Sequence, residues 1–196
     1  MNQLTQQHRA QQLALRAATV RQLQALWPTL DWARLDETYP TFAATTAQLV
    51  ARNRNVSSGL ASAYLRAFRA QHLGGDFKPV FAQPMPAEQF ATSLRVTSVV
   101  AAKKAASEGV AGDAAMRNAL TQTTGSMARL VLNAGRETLI QTLAADPAEP
   151  RWRRVLGGGG CDWCRMLATR DNYLSEASGS FDAHDHCGCT AEPVYG

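Results

Sequence analysis

All four cysteines of the chain fall within one stretch, CDWCRMLATRDNYLSEASGSFDAHDHCGC, from Cys161 to Cys189. The order is Cys-x2-Cys, 19 intervening residues, then His184, His186, Cys187 and Cys189. Thiolate and imidazole donors in two short clusters, separated by a hairpin-sized insert, are the pattern of a tetrahedral zinc site. Zinc needs about four ligands, and the segment offers Cys161, Cys164, His184, Cys187 and Cys189 as candidates, with His186 as a further donor. Spacing alone does not choose among them. A small unit with few apolar residues would draw its folding free energy from the metal, so one structural Zn2+ is expected.

Other chemistry fits the same residues less well. Two disulfides, joining Cys161 and Cys164 each to Cys187 or Cys189, would staple the same hairpin and suit an oxidising particle. A redox Cys-x-x-Cys normally opens a helix in a βαβ unit, and no such unit is legible. Catalytic zinc requires an open coordination position and a general base. The carboxylates at Glu176, Asp182, Asp185 and Glu192 are expected to be solvated, and the His-x-Glu of zinc deaminases is missing. No enzymatic activity and no small-molecule substrate are expected.

The elements that must position these donors are helical. The 196 residues can bury one core plus a small satellite, but not two large domains. A net charge of +4, with Arg far outnumbering Lys, is too mild to establish nucleic-acid binding. Gln and Arg interrupt the N-terminal stretch, and no apolar run approaches a membrane span, so neither a secretion signal nor membrane association is expected. The expected setting is a reducing cytoplasm, where clustered cysteines bind metal more often than they pair.

Ala10, Leu13, Ala17, Val20 and Trp27 recur at helical spacing and predict a first amphipathic helix ended by Pro28. A short turn capped by Thr29 or Asp31 should stop before Pro40, and a second long helix should run from Thr41 to Leu73 on Leu60, Tyr64 and Phe68. The Pro- and Gly-rich GGDFKPVFAQPMP reads as an extended connector. Helices are expected over 87–106, on Phe90, Leu94 and Val99, and from Ala114 to Ala145 with Asp113 as N-cap. Pro147 and Pro150 mark the boundary between a helical body, 1–147, and a small Cys/His-rich C-terminal domain, 148–196. There, RWRRV reads as a strand with Trp152 inward and its arginines on a solvated face, and glycines 157–160 as a turn delivering Cys161. His8 and His72 are expected in solvent, and Trp27, Trp32, Tyr64 and Phe68 in the core. The fold class is mainly α: long amphipathic helices plus a small α+β, zinc-ribbon-like C-terminal domain.

The run CDWCRMLATR, the following Tyr173 and HDHCGCTAEPV together resemble the C-terminal signature of phage head morphogenesis proteins of the Mu F type, the MuF-like minor capsid proteins, especially those of phages of actinobacteria. The corresponding His-x2-Cys-x-Cys element is His184, Cys187 and Cys189, followed by Thr190 and Pro193. The Gln-rich first helix, Trp27 to Leu30, Tyr39-Pro40 and YLRAFR extend the similarity over nearly the whole chain. His186 departs from the pattern as an added donor. The resemblance implies a minor structural protein of a tailed-phage head, partnered with the portal or the major capsid protein. It would reside in the virion after assembly in the bacterial host cytoplasm, and could touch packaged DNA non-specifically. The alternative is a zinc-containing DNA-binding protein of genome packaging, which would lean on Arg151, Arg153 and Arg154.

Overall fold

A computed structural model describes residues 2–74, 77–157, 161–170 and 181–195. Its architecture is mainly α with a small two-stranded C-terminal part, as the pattern predicts. Three long helices, α1 (Gln3–Leu26), α2 (Leu35–His72) and α5 (Gly112–Ala144), pack on one another. A broken helix lies against α5: α3 (Ala87–Arg95), a π turn over Val96–Val100, and α4 (Ala101–Ser107). Phe90, Leu94 and Val99 are all buried. The step of five residues from Leu94 to Val99 is the longer period of the π turn, which keeps both side chains on the core side.

The main core joins Leu23, Phe42, Val50, Leu94, Met127 and Val131, with Trp27 edge-on to Phe42. Tyr64 and Phe68 are buried in a second cluster, whereas Trp32 is 40% exposed and lies across Gly112. α2 begins at Leu35 and runs through Pro40 instead of starting after it. Pro40 sits in the second turn, where its ring removes a single ladder bond, to the Asp36 carbonyl. α5 begins at Gly112, so Asp113 lies in its first turn and is not the cap.

The buried face of α1 differs from the expected stripe: it is Thr5, His8, Gln12, Thr19 and Leu23, and Ala10 and Ala17 face solvent. Thr5, Gln12 and Thr19 recur every seventh residue and meet α2 antiparallel through hydrogen bonds. The Thr5 and Tyr64 hydroxyls lie 2.8 Å apart, Ser57 Oγ donates to Gln12 Oε1 at 2.8 Å, and Asn53 Nδ2 donates to Thr19 Oγ1 at 3.0 Å. Thr5, Gln12 and Thr19 are each satisfied across the seam, so their desolvation is repaid and this face packs with few apolar side chains. The third helix closes on this seam at Gly135, whose N–H donates to Ser57 Oγ at 3.1 Å. A Cβ on Gly135 would stand 2.6 Å from Ser57 Oγ and 3.0 Å from the Ser57 carbonyl oxygen. Gly135→Ala is therefore expected to lower stability by about 1–3 kcal/mol through overpacking, read from urea denaturation midpoints.

His8 is not solvated. It is 2% exposed and stacked on Tyr64 at 4.6 Å, and burial lowers its pKa from 6.5 to about 4 against the opposing hydrogen bond to the Leu60 backbone. His72, by contrast, is exposed and stacks on Phe68. The unfolded chain takes up the His8 proton below pH 6.5 whereas the folded chain resists it to about pH 4. The stability held by neutral His8 is complete above the unfolded value and is lost as pH falls through that window, by up to about 3 kcal/mol. Urea denaturation at pH 7 and pH 4.5 should show wild type losing about 2 kcal/mol more than His8→Gln; equal losses would contradict the assignment.

The connector after α2 lies along α5. Thr142 Oγ1 and Thr138 Oγ1 accept from the Val80 and Ala82 N–H groups at 2.9 and 3.0 Å, and Arg54 Nη2 donates to the Gln83 carbonyl at 3.1 Å. Beyond α5, β1 (Arg151–Val155) pairs antiparallel with β2 (Thr190–Val194), with Trp152 opposite Pro193 and Arg154 opposite Ala191. Between them lies α6 (Asp162–Arg170). The apolar packing crosses the segment 147–150: Trp152 and Ala191 share one cluster with Tyr64, Leu65, Leu139 and Leu143. Asp146 ties the same junction, accepting from Arg69 Nε at 3.0 Å and from the Tyr195 hydroxyl at 3.2 Å.

Candidate metal centre

Cys161 immediately precedes α6, and Cys164 lies in its first turn. The Arg165 N–H closes that turn on the Cys161 carbonyl at 2.9 Å. The Cys-x2-Cys pair thus opens a helix instead of forming an open knuckle, and the three-residue step puts both thiols on one side. The partner donors come from a tight turn in which the Cys187 N–H donates to the His184 carbonyl at 3.1 Å. His186 takes the left-handed conformation there, with φ +65°. The conformation is uncommon outside Gly, with Asn, Asp and His the side chains that take it most readily, and contacts from outside help to hold the turn. The His186 ring provides part of that hold by filling the hollow over Gly125 of α5, where a Cβ would stand 2.6 Å from its Nε2. His186 points to α5 and stands outside both donor groups, although its spacing made it a candidate.

The five other candidate donors come together as two overlapping triads. Cys161, Cys164 and His184 form one; Cys164, Cys187 and Cys189 form the other; within each, the donor atoms lie within 4.8 Å of one another. His184 Nε2 is 3.1 Å from both Cys161 Sγ and Cys164 Sγ, and Cys164 Sγ is 3.8 Å from Cys187 Sγ. Two thiolates on a tetrahedral zinc at about 2.3 Å are separated by about 3.8 Å. His184 Nδ1 faces the Asp185 carbonyl at 2.6 Å. A proton on Nδ1 leaves the Nε2 lone pair directed at the thiols, the orientation a metal-binding imidazole requires. The residues present therefore suit a metal ion.

The electrostatics favour thiolate at Cys187 and Cys161 and the neutral thiol at Cys164 and Cys189. A hydrogen bond from the Cys189 thiol and the Arg136 guanidinium draw the Cys187 pKa down against burial. The same hydrogen bond and burial push Cys189 up. Burial and the Cys187 charge raise Cys164, and the Cys164 backbone N–H lowers Cys161. Cys189 Sγ also receives the Gly157 N–H at 3.5 Å.

Arg136 is 4% exposed on α5. Its Nη2 donates to the Cys187 and Cys189 carbonyls at 3.0 and 3.2 Å, its Nη1 to Asn133 Oδ1 at 2.8 Å, and its guanidinium lies 5.2 Å from the Phe181 ring centre. Two further arginines grip the same turn: Arg129 Nε donates to Asp185 at 2.7 Å and Arg16 Nη1 to the His186 carbonyl at 2.8 Å. None of the three belongs to a sequence motif. The one available signal is a charged residue set inside LVLNAGRETLI, a stretch of α5 buried on most of its faces.

The carboxylates expected in solvent divide. Asp185 pairs with Arg129, and Glu192 is 2% exposed. Burial pushes the Glu192 pKa up, but hydrogen bonds from Thr5, the Asn2 N–H at 2.8 Å and Arg153 together bring it below its usual value. Trp152 points inward as expected, and Arg151 and Arg153 are exposed. Arg154 does not join them: it is buried beside Trp152, its guanidinium 3.9 Å from the Phe181 ring centre and bonded to the Asp182 carbonyl. Of the three arginines in the DNA-binding reading, Arg151 and Arg153 stay on the exposed face, Arg153 paired with Glu192, and Arg154 is inside. Tyr173, Glu176 and the glycines at 158–160 lie outside the described residues.

Among the described residues, no helix is long and apolar enough to cross a membrane. No curated protein and no solved structure matches the chain. The family model described as VG15 protein matches residues 1–196, so its span takes in the long helices and the Cys/His cluster alike. The chain belongs to the VG15 protein family, a family of phage proteins.

Proposed function

We propose that this chain is a minor structural protein of a tailed-phage head, of MuF-like type, acting with the portal or the major capsid protein in head morphogenesis or genome delivery, and that its Cys/His centre holds one structural zinc ion. The observation that carries this reading is the place of the centre. The thiols of Cys164, Cys187 and Cys189 are buried at the junction where the C-terminal turn is bound to α5, with Cys161 exposed at its edge, and the adjoining carboxylates Asp185 and Glu192 are engaged by Arg129 and Arg153. That arrangement supports a staple. The phage family and the resemblance of the C-terminal motif support residence in the head or at the portal after assembly in the host cell.

Within the centre we assign Cys161, Cys164, His184 and Cys187 as ligands. Cys189, held by the Gly157 N–H and hydrogen-bonded to Cys187, supports the Cys187 thiolate from outside the ligand set. The function is tested by co-expressing the chain with the portal and the major capsid protein of the same phage. Co-elution with portal rings, or incorporation into heads, is expected. A chain that elutes alone in the presence of both would contradict it.

A further inference from the structure

We infer that loading of the Cys/His centre latches the N-terminal half of α1 onto the body, so that metal occupancy controls docking of that helix. The inference rests on the metal reading above. The two halves of α1 are held differently. Near its C-terminal end, Leu23 is fully buried in the main core, and Leu26 and Trp27 pack against that core. In the N-terminal half, the buried residues are Thr5, His8 and Gln12, and Leu4 is only partly buried. Hydrogen bonds, each contributing about 1 kcal/mol net, replace apolar burial there, and such a segment opens at lower free energy than the core.

Beside the seam with α2, part of what holds this half comes from the C-terminal segment. The Asn2 N–H donates to Glu192 at 2.8 Å, Arg16 donates to the His186 carbonyl at 2.8 Å, and a Cβ on Gly188 would stand 3.0 Å from Leu13 Cδ2. His8, Arg9 and Leu13 line a small cavity together with Gly188, Cys189 and Thr190. The 184–189 turn has little apolar anchorage of its own. Its buried cluster is Cys164, Cys187 and Cys189, with Leu156, Phe181 and Ala183 partly buried around it. Binding a metal to these thiols orders the turn, and the ordered turn presents the His186 carbonyl and Gly188 to α1. By linkage, the metal-bound state then favours docked α1.

Hydrogen–deuterium exchange on the full chain tests this. Zinc content is measured on the same samples, as purified, after chelation and after zinc is restored. Peptides covering 3–16 are expected to exchange about tenfold faster or more after chelation, while peptides from α2 over 42–54 keep their protection. Zinc should reverse the change. Arg16→Ala, compared with wild type in samples both saturated with zinc, should raise exchange over 3–16, which separates the latch from the loading of the centre. Equal exchange of 3–16 with and without zinc, or loss of protection in all helices together, would overturn the latch and leave the zinc assignment standing. A chain that takes up no zinc would overturn the zinc assignment itself, and the latch with it.

Discussion

Cys164→Ser is expected to abolish metal binding and to open the C-terminal segment to protease, whereas Cys189→Ser should still bind zinc. Cys164 is the one donor common to both triads, and its sulfur lies 3.1 Å from His184 and 3.8 Å from Cys187. Its loss breaks both triads at once. Apparent binding free energies of structural zinc reach about 10 kcal/mol or more, so losing the site costs more than most single substitutions. Cys189 belongs to one triad and acts through Cys187, so its replacement should weaken affinity by about 10–100-fold, as for other outer partners of a metal site. Elemental analysis after gel filtration and limited proteolysis read both effects. Metal retained in Cys164→Ser, or lost equally in both variants, would show that the ligand set is misassigned. In the wild type, cleavage within 161–170 and 181–189 should appear only after chelation.

Arg136→Met should be the most damaging substitution outside the cysteines. It removes the buried cation that binds the Cys187 and Cys189 carbonyls and faces their sulfurs, leaving those acceptors and a thiolate charge without compensation. Breaking a buried charged contact by deleting one side costs about 3–5 kcal/mol. Arg136→Lys should recover only part of it, because an ammonium cannot span two carbonyls and Asn133 as the planar guanidinium does. Denaturant midpoints give the stability loss, and competition with a chromophoric chelator gives the accompanying fall in zinc affinity. Stability within about 0.5 kcal/mol of wild type would place Arg136 among ordinary surface substitutions and contradict its role as the clamp.

The long helices, the connector and the inward Trp152 were legible because each writes its own local signal: periodicity, Pro and Gly punctuation, or strand alternation. The face of α1 was not. Its contact side is built from Thr5, Gln12 and Thr19, and hydrophobic periodicity cannot register polar residues whose partners, Tyr64, Ser57 and Asn53, lie 34 to 59 positions away. The same limit hid His8 and Gly135, which matter only where α1, α2 and α5 meet. In the candidate centre, spacing revealed the five donors but left His186 among them. Its exclusion depends on Gly125, over 60 residues upstream, whose missing side chain receives the ring. Arg16, Arg129 and Arg136 read as ordinary helix arginines until the turn they grip is in place.

The claim that the Cys/His centre is a structural metal site is tested most directly by measuring zinc content and reactive thiols on one preparation, purified without chelator. About one zinc per chain is predicted, with the four cysteines resisting thiol reagent until chelator is added and then reacting fully. Chains without metal whose cysteines react at once, or whose thiols are already consumed as disulfides, would contradict it.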